Sequence, residues 1–154
     1  MDMSCCQQVK DILDFGKKMH ASIGECYAHL EEKSDQERIR MLLNHLGRHE
    51  KNLEENLARF SADAQPKILD AWLSHVPQTQ MDSLLGRCMV LKGASVDDIV
   101  RMGMEFDDAL IDLYREVARE ANQAEVKQVF LSLVDQENQQ KLNLVQSVNQ
   151  LREM

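Results

Sequence analysis

Five residues of this chain join reactive chemistry to regular spacing: His20, Glu50, Asp107, Glu137 and Gln140. An imidazole, three carboxyl groups and an amide can ligate a divalent metal, carry protons, or satisfy one another through hydrogen bonds. Each interrupts an apolar stripe at helical spacing. His20 falls between Gly16 and Ile23, Glu50 between Leu46 and Leu53, and Asp107 between Gly103 and Leu110. Glu137 and Gln140 fall between Leu133 and Leu144. A polar side chain at such a position faces inward, where it must be partnered or neutralised.

Four long helices must carry these residues. Val9, Ile12, Leu13, Gly16, Met19, Ile23, Tyr27 and Leu30 trace one face of a first helix from about residue 5 to about residue 32, opened by a capping box of Ser4 with Gln7. A second helix starts at a Ser34–Glu37 capping box and carries Ile39, Leu42, Leu43, Leu46, Leu53, Leu57 and Phe60. A third opens at Ser95 with Asp98 three residues on, with Val96, Ile99, Val100, Gly103, Phe106, Leu110, Tyr114 and Val117 on its apolar face. The fourth begins near Asn122 and continues through Val126, Val129, Phe130, Leu133, Leu144, Val148 and Leu151. No segment alternates with period two, so the spacing predicts an all-α fold with essentially no sheet.

The chain reads as one domain: a hairpin over 5–60, a crossover over 61–94, and a second hairpin over 95–152. The crossover holds both prolines, Pro66 and Pro77, and is too long for a hairpin turn. Within it, Ile68, Leu69, Trp72 and Leu73 predict one short amphipathic helix, and Met81 to Leu91 another. The two hairpins align without a gap at an offset of 87 residues, which superposes Tyr27 on Tyr114, Glu50 on Glu137 and Asn56 on Asn143. Identities of this kind indicate a duplicated helix pair. The same offset pairs His20 with Asp107 and Leu53 with Gln140. His20 precedes the first turn by 14 residues and Glu50 follows it by 16; Asp107 and Glu137 repeat those values about the second turn. At ~1.5 Å rise per residue all four lie at nearly one level.

Composition narrows the function classes. A net charge of −8 without a basic patch argues against a nucleic-acid partner. No run approaches the roughly 18 apolar residues of a membrane span, and residues 1–6 lack the pattern of a signal peptide. The expectation is a cytoplasmic protein without a membrane partner. Cys5, Cys6, Cys26 and Cys88 form no C-x-x-C pair and no zinc spacing, and in a cytoplasmic protein they are expected reduced. His45 and His49 are spaced to clip a surface metal, but His49 belongs to the helix margin. His29 and His75 belong to no metal-ligand motif, and no nucleophile motif or phosphate loop is visible.

Glu25-Cys26-Tyr27 with Leu30, Glu50-Lys51, Asp112-Leu113-Tyr114 and Glu137 give the chain a resemblance to the ferritin-like superfamily, most closely its rubrerythrin-like branch, over residues 5 to 152. The resemblance implies a four-helix bundle and two irons held by a glutamate on each of helices 1 and 3 and by Glu-x-x-His on each of helices 2 and 4. Carried across by position, Glu50 and Glu137 are present, Asp107 stands for the third glutamate, and His20 for the fourth. Both histidines are replaced, by Leu53 and Gln140, and no rubredoxin tail follows.

Leucine cannot ligate and an amide oxygen is a weak donor, so a full di-iron centre is not expected. Three inward carboxyl groups still need compensation, and three arrangements supply it: one divalent ion (iron, manganese or zinc) on His20, Glu50, Asp107 and Glu137; a protonated His20 with a shared carboxyl proton; or a solvated cavity. Gln140 completes the candidate metal set. Tyr27 and Tyr114 would donate to the ligands in the metal readings and are core tyrosines otherwise. Two functions follow. The preferred one is a non-catalytic structural or interaction module without cofactor; the other is a metal-dependent redox or iron-handling protein with an altered site, hence an oxidoreductase of rubrerythrin type. A homodimer, or an unknown protein partner, fits either.

Overall fold

A computed structural model describes residues 3–4 and 7–153 of the chain. In chain order these form strands β1 (Met3–Ser4) and β2 (Gln7–Gln8), helices α1 (Val9–Lys33), α2 (Glu37–Asp63) and α3 (Pro66–Leu69), strands β3 (Trp72–Leu73) and β4 (Val76–Pro77), and helices α4 (Met81–Val90), α5 (Val96–Glu120) and α6 (Ala124–Glu153). The chain is therefore mostly helical, as its periodicity requires. α1 packs along α2 and α5 along α6, while α4 lies against α1 and α5.

The helix starts show which local signals prevailed. Ser95 and Asp98 form the expected capping box: the Asp98 N–H donates to Ser95 Oγ at 3.1 Å and the Ser95 N–H to Asp98 Oδ2 at 2.9 Å. The Ser4–Gln7 box does not form. Residues 7–8 instead pair with β3, and α1 starts at Val9, where the Gln8 N–H donates to Asp11 Oδ2 at 2.9 Å. Ser34 does not cap α2 either. Its hydroxyl accepts from the Gln36 N–H at 3.2 Å within the turn, so α2 begins at Glu37 with Gln36 as N-cap.

Two two-residue antiparallel pairings, β1 with β4 and β2 with β3, correct the expectation of no sheet. They arise because the segment entering α1 runs beside the crossover and shares its backbone hydrogen bonds, with the Val9 N–H adding a bond to the Ala71 carbonyl at 3.0 Å. The first crossover helix is accordingly shorter than its apolar residues suggest. It stops at Leu69, and Trp72, which is exposed, and Leu73, which is buried, belong to β3. The second is present as α4.

A reciprocal device locks α1 onto α5. The Tyr114 hydroxyl sits against Gly16, where an added Cβ would overlap it, and a Cβ at Gly103 would lie 3.0 Å from the Tyr27 hydroxyl. Both the glycines and the tyrosines are related by the repeat offset. Since Tyr27 meets Gly103 while Tyr114 meets Gly16, the two helices run antiparallel. Each glycine lets a buried phenol approach the opposite backbone.

Cys26 and Cys88 are not reduced thiols: they form a disulfide, with Cα atoms 6.2 Å apart. No local motif announces the pair, because 62 residues separate its members and packing of α4 on α1 brings them together. Cys5 and Cys6 lie outside the described residues. Among the described residues no helix is long and apolar enough to cross a membrane.

Candidate functional site: a buried imidazole–carboxylate layer

Apolar packing isolates one polar layer. The buried polar or charged residues among those described are His20, Glu50, Asp107, Glu137 and Gln140, none more than 5% exposed. Each of the four long helices contributes: His20 from α1, Glu50 from α2, Asp107 from α5, and Glu137 with Gln140 from α6. Leu43 and Leu46 on α2, and Phe130 and Leu133 on α6, belong to the same apolar core.

His20 is the centre of the layer. Its Nδ1 lies 2.7 Å from Glu50 Oε1 and its Nε2 lies 2.9 Å from Glu137 Oε2. A neutral imidazole has one N–H, so it would turn a bare nitrogen lone pair towards one of the two carboxylates. The imidazolium donates to both. Burial pushes the His20 pKa down, but the hydrogen bonds and charges of Glu137 and Glu50 outweigh it and raise the value from 6.5 to about 10. His20 is thus a cation bridging two helices of different hairpins.

The remaining groups adjust around that cation. The Gln140 amide donates to Glu50 Oε2 at 3.3 Å, occupying the oxygen that His20 leaves open. Burial pushes the Glu50 carboxyl up, opposed by the His20 hydrogen bond and charge. Asp107 is raised from 3.8 to about 9, by burial first and then by the charges of Glu50 and Glu137, so it holds its proton at neutral pH. Burial likewise raises Tyr27 and Tyr114, which remain phenols. Two atoms stay unsatisfied: Glu137 Oε1 and the Tyr114 hydroxyl are buried without a hydrogen-bond partner.

The repeat is not symmetric around this layer. A cleft of about 440 Å³ between α1 and α2 reaches His20, lined by Ala21, Gly24, Ala28 and Gly47. At the matching positions of the second hairpin Ile111 and Val134 are buried and fill the space.

A di-iron centre does not fit these residues. Both nitrogens of His20 face carboxylate oxygens, the Gln140 amide points N–H towards Glu50, and Leu53, only half-buried, offers no donor. Among the described residues no group of three or more His, Cys, Asp or Glu side chains is arranged to hold a metal ion. His45 and His49 stack edge to face, 4.6 Å between ring centroids, at the outer edge of α2. Comparison with protein-family models, curated proteins and solved structures finds no match to this chain.

Proposed function

We propose that the chain is a ferritin-like four-helix bundle in which the imidazolium of His20 replaces a metal as the counter-charge of the carboxylate layer, and that it acts as a structural or interaction module rather than as a catalyst. The observation that carries this reading is the use of both His20 ring nitrogens, one on Glu50 and one on Glu137. A side chain that spends both ring nitrogens on carboxylates of two other helices serves to tie those helices together. The Gln140 amide on Glu50 supports the same reading, since it supplies a hydrogen-bond donor where the resemblance implies an imidazole ligand.

Protein purified without chelators, assayed for metal and titrated anaerobically with ferrous iron, should hold no stoichiometric metal. Metal that is lost on combined Glu50→Ala and Glu137→Ala substitution would overturn the reading. The buried, unpartnered Glu137 Oε1 favours a second one, a divalent ion that displaces the His20 proton and takes that oxygen as ligand. The same titration decides between them. Association as a homodimer and a cytoplasmic location belong to the proposal.

A further inference from the structure

We propose that the Cys26–Cys88 disulfide is a redox catch on the crossover: its two-electron reduction by a dithiol releases α4 from α1 and leaves the four long helices folded. Apart from the disulfide, α4 is held by a narrow set of contacts. It has ten residues, and its buried side chains are Met81, Leu84 and Cys88. A helix this short is marginal in water without a packed face, and three buried side chains are a narrow one. Met89 and Val90, at its C-terminal end, are exposed. Its start is held by one side-chain hydrogen bond, the Met81 N–H donating to Thr79 Oγ1 at 3.3 Å, and its ion pair, Arg87 with Glu105 at 3.2 Å, lies between exposed groups.

The rest of the crossover is tied differently. Residues 71–77 are anchored by the two strand pairings and by the Val9–Ala71 backbone bond. Beyond α4, Gly93 takes a left-handed φ of 59°, a conformation that lets the chain turn into α5. The segment from about residue 78 to 94 is therefore bounded by fixed structure on both sides and held between them by the Cys26–Cys88 bond, the buried Met81 and Leu84, and the partly buried Leu85 and Leu91. Cys26 is the fixed partner, because its neighbour Tyr27 packs edge-on against Phe106 at 6.3 Å. Cys88 is the movable one, two residues from the end of α4.

The chemistry balances with a dithiol as reductant. One reductant thiolate attacks a sulfur of the pair, a mixed disulfide forms, and the other cysteine leaves as a thiolate that takes up a proton. The second reductant thiol then displaces the first cysteine. Two electrons and two protons reach the protein as two thiols, and the reductant becomes a disulfide. Both cysteine sulfurs belong to residues at most 1% exposed, so attack requires the last turn of α4 to open first. Burial makes the catch slow to reduce and helix fraying sets its rate.

Hydrogen exchange read by mass spectrometry on the full chain, oxidised and after dithiothreitol, tests this. Reduction should speed exchange in 81–90 by about tenfold or more, with the amides of α1, α2, α5 and α6 changed by less than about twofold. Combined Cys26→Ala and Cys88→Ala substitution should reproduce the reduced pattern and abolish its response to dithiothreitol. Unchanged exchange in α4 would overturn the proposal, as would equal acceleration in all helices or free thiols at both positions in protein isolated without reductant. Should the double variant not fold, the reduced wild-type chain gives the same decision.

Discussion

Leucine in place of His20 should destabilise the protein by about 3–5 kcal/mol, the usual loss when one partner is removed from a buried ionic group. The structure sets that size. Two charge-assisted hydrogen bonds, at 2.7 and 2.9 Å, disappear from residues that are at most 3% exposed, and each is worth about 1.5–3 kcal/mol. Glu50 and Glu137 are then left facing one another without a cation. Equilibrium unfolding in urea measures the loss, and for a chain of this length the thermal midpoint should fall by about 10 °C or more. Adding Glu50→Gln and Glu137→Gln to the leucine variant should recover at least half of the deficit, because the stranded charges are gone. A loss below about 1 kcal/mol, or a triple variant no better than the single one, would show that the imidazole is not the counter-charge of the layer.

Other expectations follow from the same geometry. Asp107 and His20 both have folded-state pKa values above their ordinary ones, so each stabilises most at low pH. The Asp107 contribution fades as pH rises from about 4 to about 9 and that of His20 from about 6.5 to about 10. Stability of the wild-type chain should therefore decline steadily into the alkaline range. Asp107→Asn should flatten that decline and stabilise the protein at about pH 8 by about 2–5 kcal/mol, read from urea midpoints across pH. Gly16→Ala should cost about 1–3 kcal/mol, as the new methyl overlaps the Tyr114 hydroxyl and comes within 3.1 Å of Leu57 Cδ1. Tyr114→Phe, which removes a hydroxyl without a partner, should be nearly neutral alone and should rescue Gly16→Ala in a double-mutant cycle.

The polar layer was legible because helical periodicity fixes which side of a helix a residue occupies. His20, Glu50, Asp107, Glu137 and Gln140 each replace an apolar residue in a stripe, and each is buried. What they do to one another depends on distances across four helices, which periodicity does not contain. Leu53 illustrates the limit: its place in the stripe points to the core, yet it is half-buried, while Leu57 one turn further along α2 is buried. The disulfide was hidden for a related reason, since Cys88 belongs to a crossover whose path is set by packing and not by spacing. The capping signals fared unevenly. Ser95 and Asp98 act alone on their helix start, whereas Ser4 and Ser34 have competing partners in a strand and a turn.

An imidazolium at His20, held between Glu50 and Glu137, carries the layer. Nitrogen-15 NMR of the histidine side chains reads this directly. Both His20 ring nitrogens should carry slowly exchanging protons at about pH 7, and one of the two should be lost only near the raised value of about 10, leaving a neutral ring with a single N–H. A His20 ring with one bare nitrogen at about pH 7, or one broadened or shifted by a bound metal, would contradict the account.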